Sequence, residues 1–185
     1  MALECFTLRI DVRHYQRRVL MKLWSLLCIV GLGLAGPIAA EEAVEKESEQ
    51  PDKRLIEALE SEGLKYEILD TGELSVLIEW TDENRSQIVR LQSKTFRFQQ
   101  HEYRDIYSLG YEIKEGEQLP IALATRLLTE SNTSKLGFWA LQEHQVYNIA
   151  RMASRSTPSQ IREAIFYVAQ YADDLEKELL GTDDF

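Results

Sequence analysis

Residues 135–153 read Lys-Leu-Gly-Phe-Trp-Ala-Leu-Gln, then Glu143-His144, then Gln-Val-Tyr-Asn-Ile-Ala-Arg-Met-Ala. Two strand-like runs separated by a two-residue break predict a β-hairpin. A helix start follows at once. Thr157 is placed to N-cap, Pro158 sits at the first helical position, and Gln160 completes a capping box. Ile161, Ala164, Ile165, Val168, Tyr171, Ala172, Leu175 and Leu179 then recur at spacings of three and four, which gives one apolar stripe. Gly181 ends the helix as a left-handed cap. A helix of this length with such a stripe must lie on a sheet, and the hairpin before it is the nearest candidate.

Working outward, Pro51 opens an earlier helix with Leu55, Ile56 and Leu59 on one side, closed by Gly63 with Leu64 folding back on Leu59. Lys65–Leu69 and Glu73–Trp80 are predicted strands around the turn Asp70-Thr71-Gly72. In the second of these, Leu74, Val76, Ile78 and Trp80 share a face, and Leu77 lies on the other, more polar one. Thr81–Asn84 is a turn, and Arg85 begins a third strand centred on Ile88, Val89 and Leu91. The alternation then changes phase at Phe96 and Phe98, which calls for a bulge or bend near Ser93-Lys94-Thr95. Residues 101–116 carry the weakest pattern, a strand or an irregular segment. Pro120 starts a helix to about Glu130 with Ile121, Ala124, Leu127 and Leu128 on one side, and Ser131–Ser134 breaks it. The predicted order is α-β-β-β-α-β-β-α. Short turns between neighbours imply antiparallel pairing, hence an α+β fold.

The chain has 185 residues and a net charge of −10. Its first forty residues hold five Lys/Arg and two Asp/Glu, so the remainder is more acidic, at −13. Such a body is repelled by phosphate backbones, and no basic patch interleaved with aromatics offsets this, so nucleic acid is not an expected partner. Met21-Lys22 precedes an uncharged apolar run to Ala40, containing Pro37 and ending in small residues before Glu41-Glu42. This is the pattern of a cleaved export signal, complete from Met21 onward, and it predicts residues 1–40 as a signal, with translation starting at Met1 or Met21; the competing expectation is an uncleaved membrane anchor, for which the run Leu23–Ala40 is at the short end. Both cysteines, Cys5 and Cys28, fall inside it. Residues 41–50 form an acidic linker and residues 51–185 a single domain. Cleavage would leave no stable membrane span and no thiol, and the expected location is periplasmic or secreted, in the bacterial cell envelope.

Chemistry-bearing residues are sparse. His101, with Glu102 and Asp105 near it and Ser108 farther on, is the one group resembling a nucleophile set, and strand alternation should scatter it. His144 lies in a predicted turn. Asp173-Asp174, Glu176 and Glu178 are interspersed with basic residues and read as a solvated helix face, with Asp183-Asp184 in the tail. No calcium loop is present. No cofactor, metal or catalytic residue is therefore assigned.

Arg104-Asp-Ile-Tyr-Ser108, Leu127-Leu128 with Asn132, Lys135-Leu-Gly137-Phe-Trp139 and the tail Ala172–Phe185 resemble the bacterial YbjN-type family of sensory-transduction regulators. The element order resembles the type III secretion chaperone-like fold. The resemblance covers roughly residues 51–185 and implies no enzymatic activity, cofactor or catalytic residue. Together these readings predict a non-enzymatic, protein-binding or chaperone-like module. Its partner would be another protein or a second copy in a homodimer, met by the sheet face bearing Leu77 or by an edge strand. The competing expectations are a small hydrolase or metal-dependent enzyme whose site assembles only in three dimensions, and a structural, self-associating envelope protein.

Overall fold

The computed structural model describes residues 50–185. The export signal expected at 1–40 and nearly all of the linker at 41–50 lie outside the described residues. The chain forms helix α1 (Lys53–Ser61), strands β1 (Glu67–Ile68), β2 (Leu74–Trp80), β3 (Arg85–Leu91), β4 (Phe96–Phe98) and β5 (His101–Glu112), helix α2 (Ile121–Thr133), strands β6 (Gly137–Gln142) and β7 (Gln145–Ala153), and helix α3 (Pro158–Leu179). The fold is α+β, with every strand pair antiparallel. The strands run β1-β2-β3-β5-β7-β6, and β4 pairs with the start of β5.

Local chemistry explains most boundaries. The Asp52 side chain caps α1 by accepting from the Arg54 amide at 2.9 Å. The helix closes with Leu64 N–H bonded to Leu59 O and Gly63 N–H to Glu60 O, Gly63 taking φ +68°. On α3 the full capping box of Thr157 and Gln160 forms, with Pro158 in the first turn. Glu143 takes φ +54° in the two-residue β6–β7 turn, and Ser93-Lys94 bends the chain between β3 and β4.

Two strands exceed the predicted order, and one is the centre of the sheet. β5 gives a weak hydrophobic alternation because its inward positions include Arg104, Ser108 and Gly110. It pairs with β7 over nearly its whole length and with β3 over three residues. Consequently α3 lies chiefly across β5, flanked by β3 and β7, and only grazes β6. The hairpin before it is not its main seat. The predicted stripe holds from Ile161 to Leu175, whereas Tyr171 faces outward and stacks on Tyr167. On α2 only Leu127 is buried. Ile121, at the helix start, and Leu128 are exposed at 85% and 70%, so the apolar side is rotated from the predicted one, and the helix runs on to Thr133.

The larger core cluster joins Leu55 and Leu59 of α1 to Leu74, Val76, Val89, Leu91 and Ile106, closed by Ile165 and Val168. A smaller one unites Leu127, Trp139, Val146 and Leu175. Leu175 is thus buried as expected. Glu176 beside it is not solvated; it is fully buried, and Asp173 nearly so. Arg85 at the start of β3 explains this. Its Nε donates to Asp173 at 2.6 Å, and its Nη2 lies 3.2 Å from Glu176. Nη1 donates to the Thr182 carbonyl at 2.7 Å.

Helix α3 comes close to the sheet at Gly110, beside Ala172 and Leu175, and at Gly137, beside Tyr167. A Cβ at Gly137 would stand 2.8 Å from both Asn148 Oδ1 and a Tyr167 ring carbon, and 3.0 Å from the Ile149 carbonyl oxygen. The last contact is backbone and cannot rotate away. Gly137→Ala is expected to cost about 1–3 kcal/mol, seen as a lower urea midpoint at unchanged slope. A wild-type midpoint would show that the edge strand can shift to admit a methyl group.

Candidate functional site

All three helices cover the face of the sheet that carries Val76, Val89, Ile106 and Ala150. Among the described residues, no helix covers the opposite face. Strand alternation dictates what stands there. One row across it is Ser75, Arg90, Tyr107, Ile149 and Phe138, fixed by register from β2 to β6. The next is Leu77 beside Ile88, then Leu109, Tyr147 and Ala140. Leu77 is 54% exposed and Ile88 38%. A monomer seldom exposes so continuous a run of aliphatic and aromatic side chains without a use for it.

The polar groups on this face are ordered by their partners. Arg151 makes a two-pronged pair with Asp105, both bonds 2.8 Å, and its guanidinium lies over the Phe96 ring at 4.9 Å and near Phe138 at 5.5 Å. The Tyr107 hydroxyl donates to the Glu73 carboxylate at 3.1 Å, and Tyr107 meets Tyr147 edge-to-face at 5.4 Å. Burial pushes the Tyr107 phenol far above its ordinary value, and the Glu73 charge pushes it further. Burial and then Glu112 raise Tyr147 as well. Both phenols therefore stay neutral across the working range of a protein and act as hydrogen-bonding and apolar surface.

The sheet is split beside these tyrosines. β3 pairs with β5 only over Val89–Leu91, and β5 bulges between Leu109 and Tyr111. Side chains bridge the gap. Gln87 Nε2 donates to the Leu109 carbonyl at 2.7 Å, and Ser108 Oγ donates to the Ile88 carbonyl at 2.6 Å. The Ser86 amide donates to Asp183 at 3.0 Å. The segment after α3 thereby passes along the split, and its Phe185 joins Ile88, Arg90, Tyr107, Leu109, Gln145 and Tyr147 around a cleft of about 260 Å³.

The residues singled out from sequence fall in different places. Leu77 stands on the uncovered face. Asp105 shares that face with His101 but is paired with Arg151. Ser108 points to the covered side, buried, its hydroxyl engaged by Ile88 and Gln87. His101 is seven residues from it along the strand, roughly 20 Å, so the structure does not assemble the three. His144 is exposed in the β6–β7 turn. The carboxylates of Asp173, Glu176 and Asp183 do converge, within 4.8 Å of one another, and the Arg85 guanidinium supplies the positive charge among them. Sequence reasoning missed Ile88, Arg90, Tyr107, Leu109 and Tyr147 as a group. Their signal was the odd-numbered alternation Tyr103, Asp105, Tyr107, Leu109, which is legible only once residues 101–112 are taken as one strand.

Among the described residues no helix is long and apolar enough to cross a membrane. No family model matches the chain, and no curated protein matches it.

Proposed function

We propose that this chain is a non-enzymatic module that binds another protein through the uncovered face of its sheet. The observation that carries the reading is the row of outward-facing Leu77, Ile88, Leu109, Tyr107, Tyr147, Ile149 and Phe138 beside a fully formed core on the other side. Aromatic groups with a few fixed charges are what the centre of a protein interface needs. The export pattern ending at Ala40 supports placing the module in the bacterial periplasm or envelope, and the residues quoted for the YbjN-type resemblance support a regulatory or chaperone-like role there.

The test is residue-specific photo-cross-linking in the native host. A photoreactive residue at position 77 or 88 is expected to give discrete protein adducts, and one at Glu60 or Glu163 on the helical side is not. Adducts from the helical side alone would sink the reading. A companion variant, Leu77→Asp, is expected to abolish the adducts formed from position 88. Its urea midpoint should change by no more than about 1 kcal/mol, because the residue is exposed on a strand.

A further inference from the structure

Arg90 stands at the centre of the uncovered face, paired across the sheet with Ser75 and Tyr107. It lines the cleft with Ile88, Leu109, Tyr147 and Phe185. The other arginine of this face, Arg151, is fully engaged by Asp105 and by the Phe96 ring. Arg90 differs. Its Nη1 is buried and has no hydrogen-bond partner among the described residues. Arg90 also forms no ion pair among the described residues, so the guanidinium that lines the cleft is left without a counter-charge until an acceptor enters.

The walls of the cleft say what kind of acceptor fits. About 260 Å³ is below the usual range for a drug-sized or cofactor site, and it suits one or two side chains. Apart from Gln145 the lining is aliphatic and aromatic, with Arg90 its one cation. The geometry points to a docking cleft for an extended segment of the protein partner, one that places an Asp or Glu carboxylate on Arg90 and an adjacent apolar side chain against Ile88, Leu109 and Phe185. This inference rests on the uncovered face being the binding surface, and adds its anchor and the chemistry of its occupant. The acidity of the whole chain does not oppose it. Beyond about 10 Å the net charge is screened by physiological salt, whereas a carboxylate in contact with a partly buried guanidinium gains a charge-assisted, two-pronged bond.

Two blocked tripeptides test it, acetyl-Phe-Glu-Leu-amide and acetyl-Phe-Gln-Leu-amide, titrated into the full chain and followed by ¹H–¹⁵N chemical shifts. The Glu peptide is expected to bind with a Kd on the order of 1 mM and to shift the amides of Ile88, Leu109 and Tyr147. The Gln peptide and an Arg90→Gln variant should each weaken binding about tenfold, with Arg90→Lys intermediate because the charge remains without the planar fork. The Arg90→Gln spectrum itself reports whether the variant is folded. Equal binding of the two peptides overturns the proposal, as does the absence of any cleft shift at about 10 mM Glu peptide. The cross-linking arm separates this failure from that of the wider reading. Adducts at position 77 that persist in Arg90→Gln, with equal peptide binding, remove the anchor and leave the face. Absence of adducts at positions 77 and 88 in the wild type removes the face.

Discussion

Arg85→Met should lower the stability of the domain by about 3–5 kcal/mol at neutral pH, a large share of what a small domain has. The substitution keeps much of the side chain's bulk and removes only its charge and donors. Asp173 and Glu176, whose side chains are 4% and 0% exposed, would then be buried together with no cation between them. The pH dependence identifies the group left behind. Burial already holds the Glu176 carboxyl above its ordinary value, and loss of Arg85, which pulls it down, must raise it further. For an acid so raised, the proton stabilises the fold. That contribution is complete below the ordinary carboxylate value and is lost as pH rises through the folded one. The deficit of Arg85→Met should therefore shrink as pH is lowered from 7 toward 5, and adding Glu176→Gln should recover part of it at pH 7. Denaturant midpoints across that range decide the matter. A deficit below about 1 kcal/mol, or one that does not change with pH, would mean that the acidic side chains find water instead of staying buried.

Asp52→Ala should be nearly as damaging, also about 3–5 kcal/mol, for two separable reasons. Asp52 caps α1, and its Oδ2 lies 2.5 Å from Nη2 of Arg104, which is 1% exposed at the inner side of β5. Without it Arg104 keeps one weak bond, from Nη1 to the Gln92 carbonyl at 3.2 Å. Asp52→Ser restores the cap but not the charge, and should regain only about 1 kcal/mol. If serine restores nearly everything, the arginine contributes little and the cap is the whole effect. Burial pushes the Asp52 carboxyl upward, but hydrogen bonds from Arg54 and Arg104 outweigh it and hold the group well below the usual carboxylate range. A depressed acid stabilises the fold above its ordinary value of 3.8, and the contribution is lost as pH falls from there toward the folded value. Acid unfolding of the wild type should show this loss below about pH 4, and Asp52→Ala should lack it.

Both arginines show where a sequence stops being readable. Thr157, Pro158 and Gln160 act within a few residues of one another, so the start of α3 was visible in advance. The Gly63–Leu64 cap and the Asp70–Gly72 turn are equally local. Arg85 and Arg104 look like surface residues in a list. They become core residues only because Asp173 lies 88 positions later and Asp52 lies 52 positions earlier. The same long-range pairing turned Glu176 from an expected solvated residue into a buried one. β5 was obscure for a related reason. Its inward side holds Arg104, Ser108 and Gly110 around a single Ile106, so it lacks the apolar alternation by which strands are found. The candidate site inherited that obscurity. Leu77 lies on a strand with clean alternation and its face was assigned directly, whereas Tyr107 and Leu109 lie on β5, and Arg90 could be placed beside them only through register.

The position of β5 also constrains how the chain can be made. One of its neighbours precedes it and the other, β7, begins 33 residues after its last position. At synthesis rates of about 5–20 residues per second, the long edge of β5 waits a few seconds for its partner. Arg85 waits longer still for the acidic turns of α3 that neutralise it. Until residues 145–185 have emerged, the earlier part of the domain is a sheet with an open edge, an uncovered core face and an unpaired Arg85. Folding of this chain is therefore closer to a single late event than to growth from its N-terminal end, and a nascent chain halted before β7 is the form most exposed to wrong pairing.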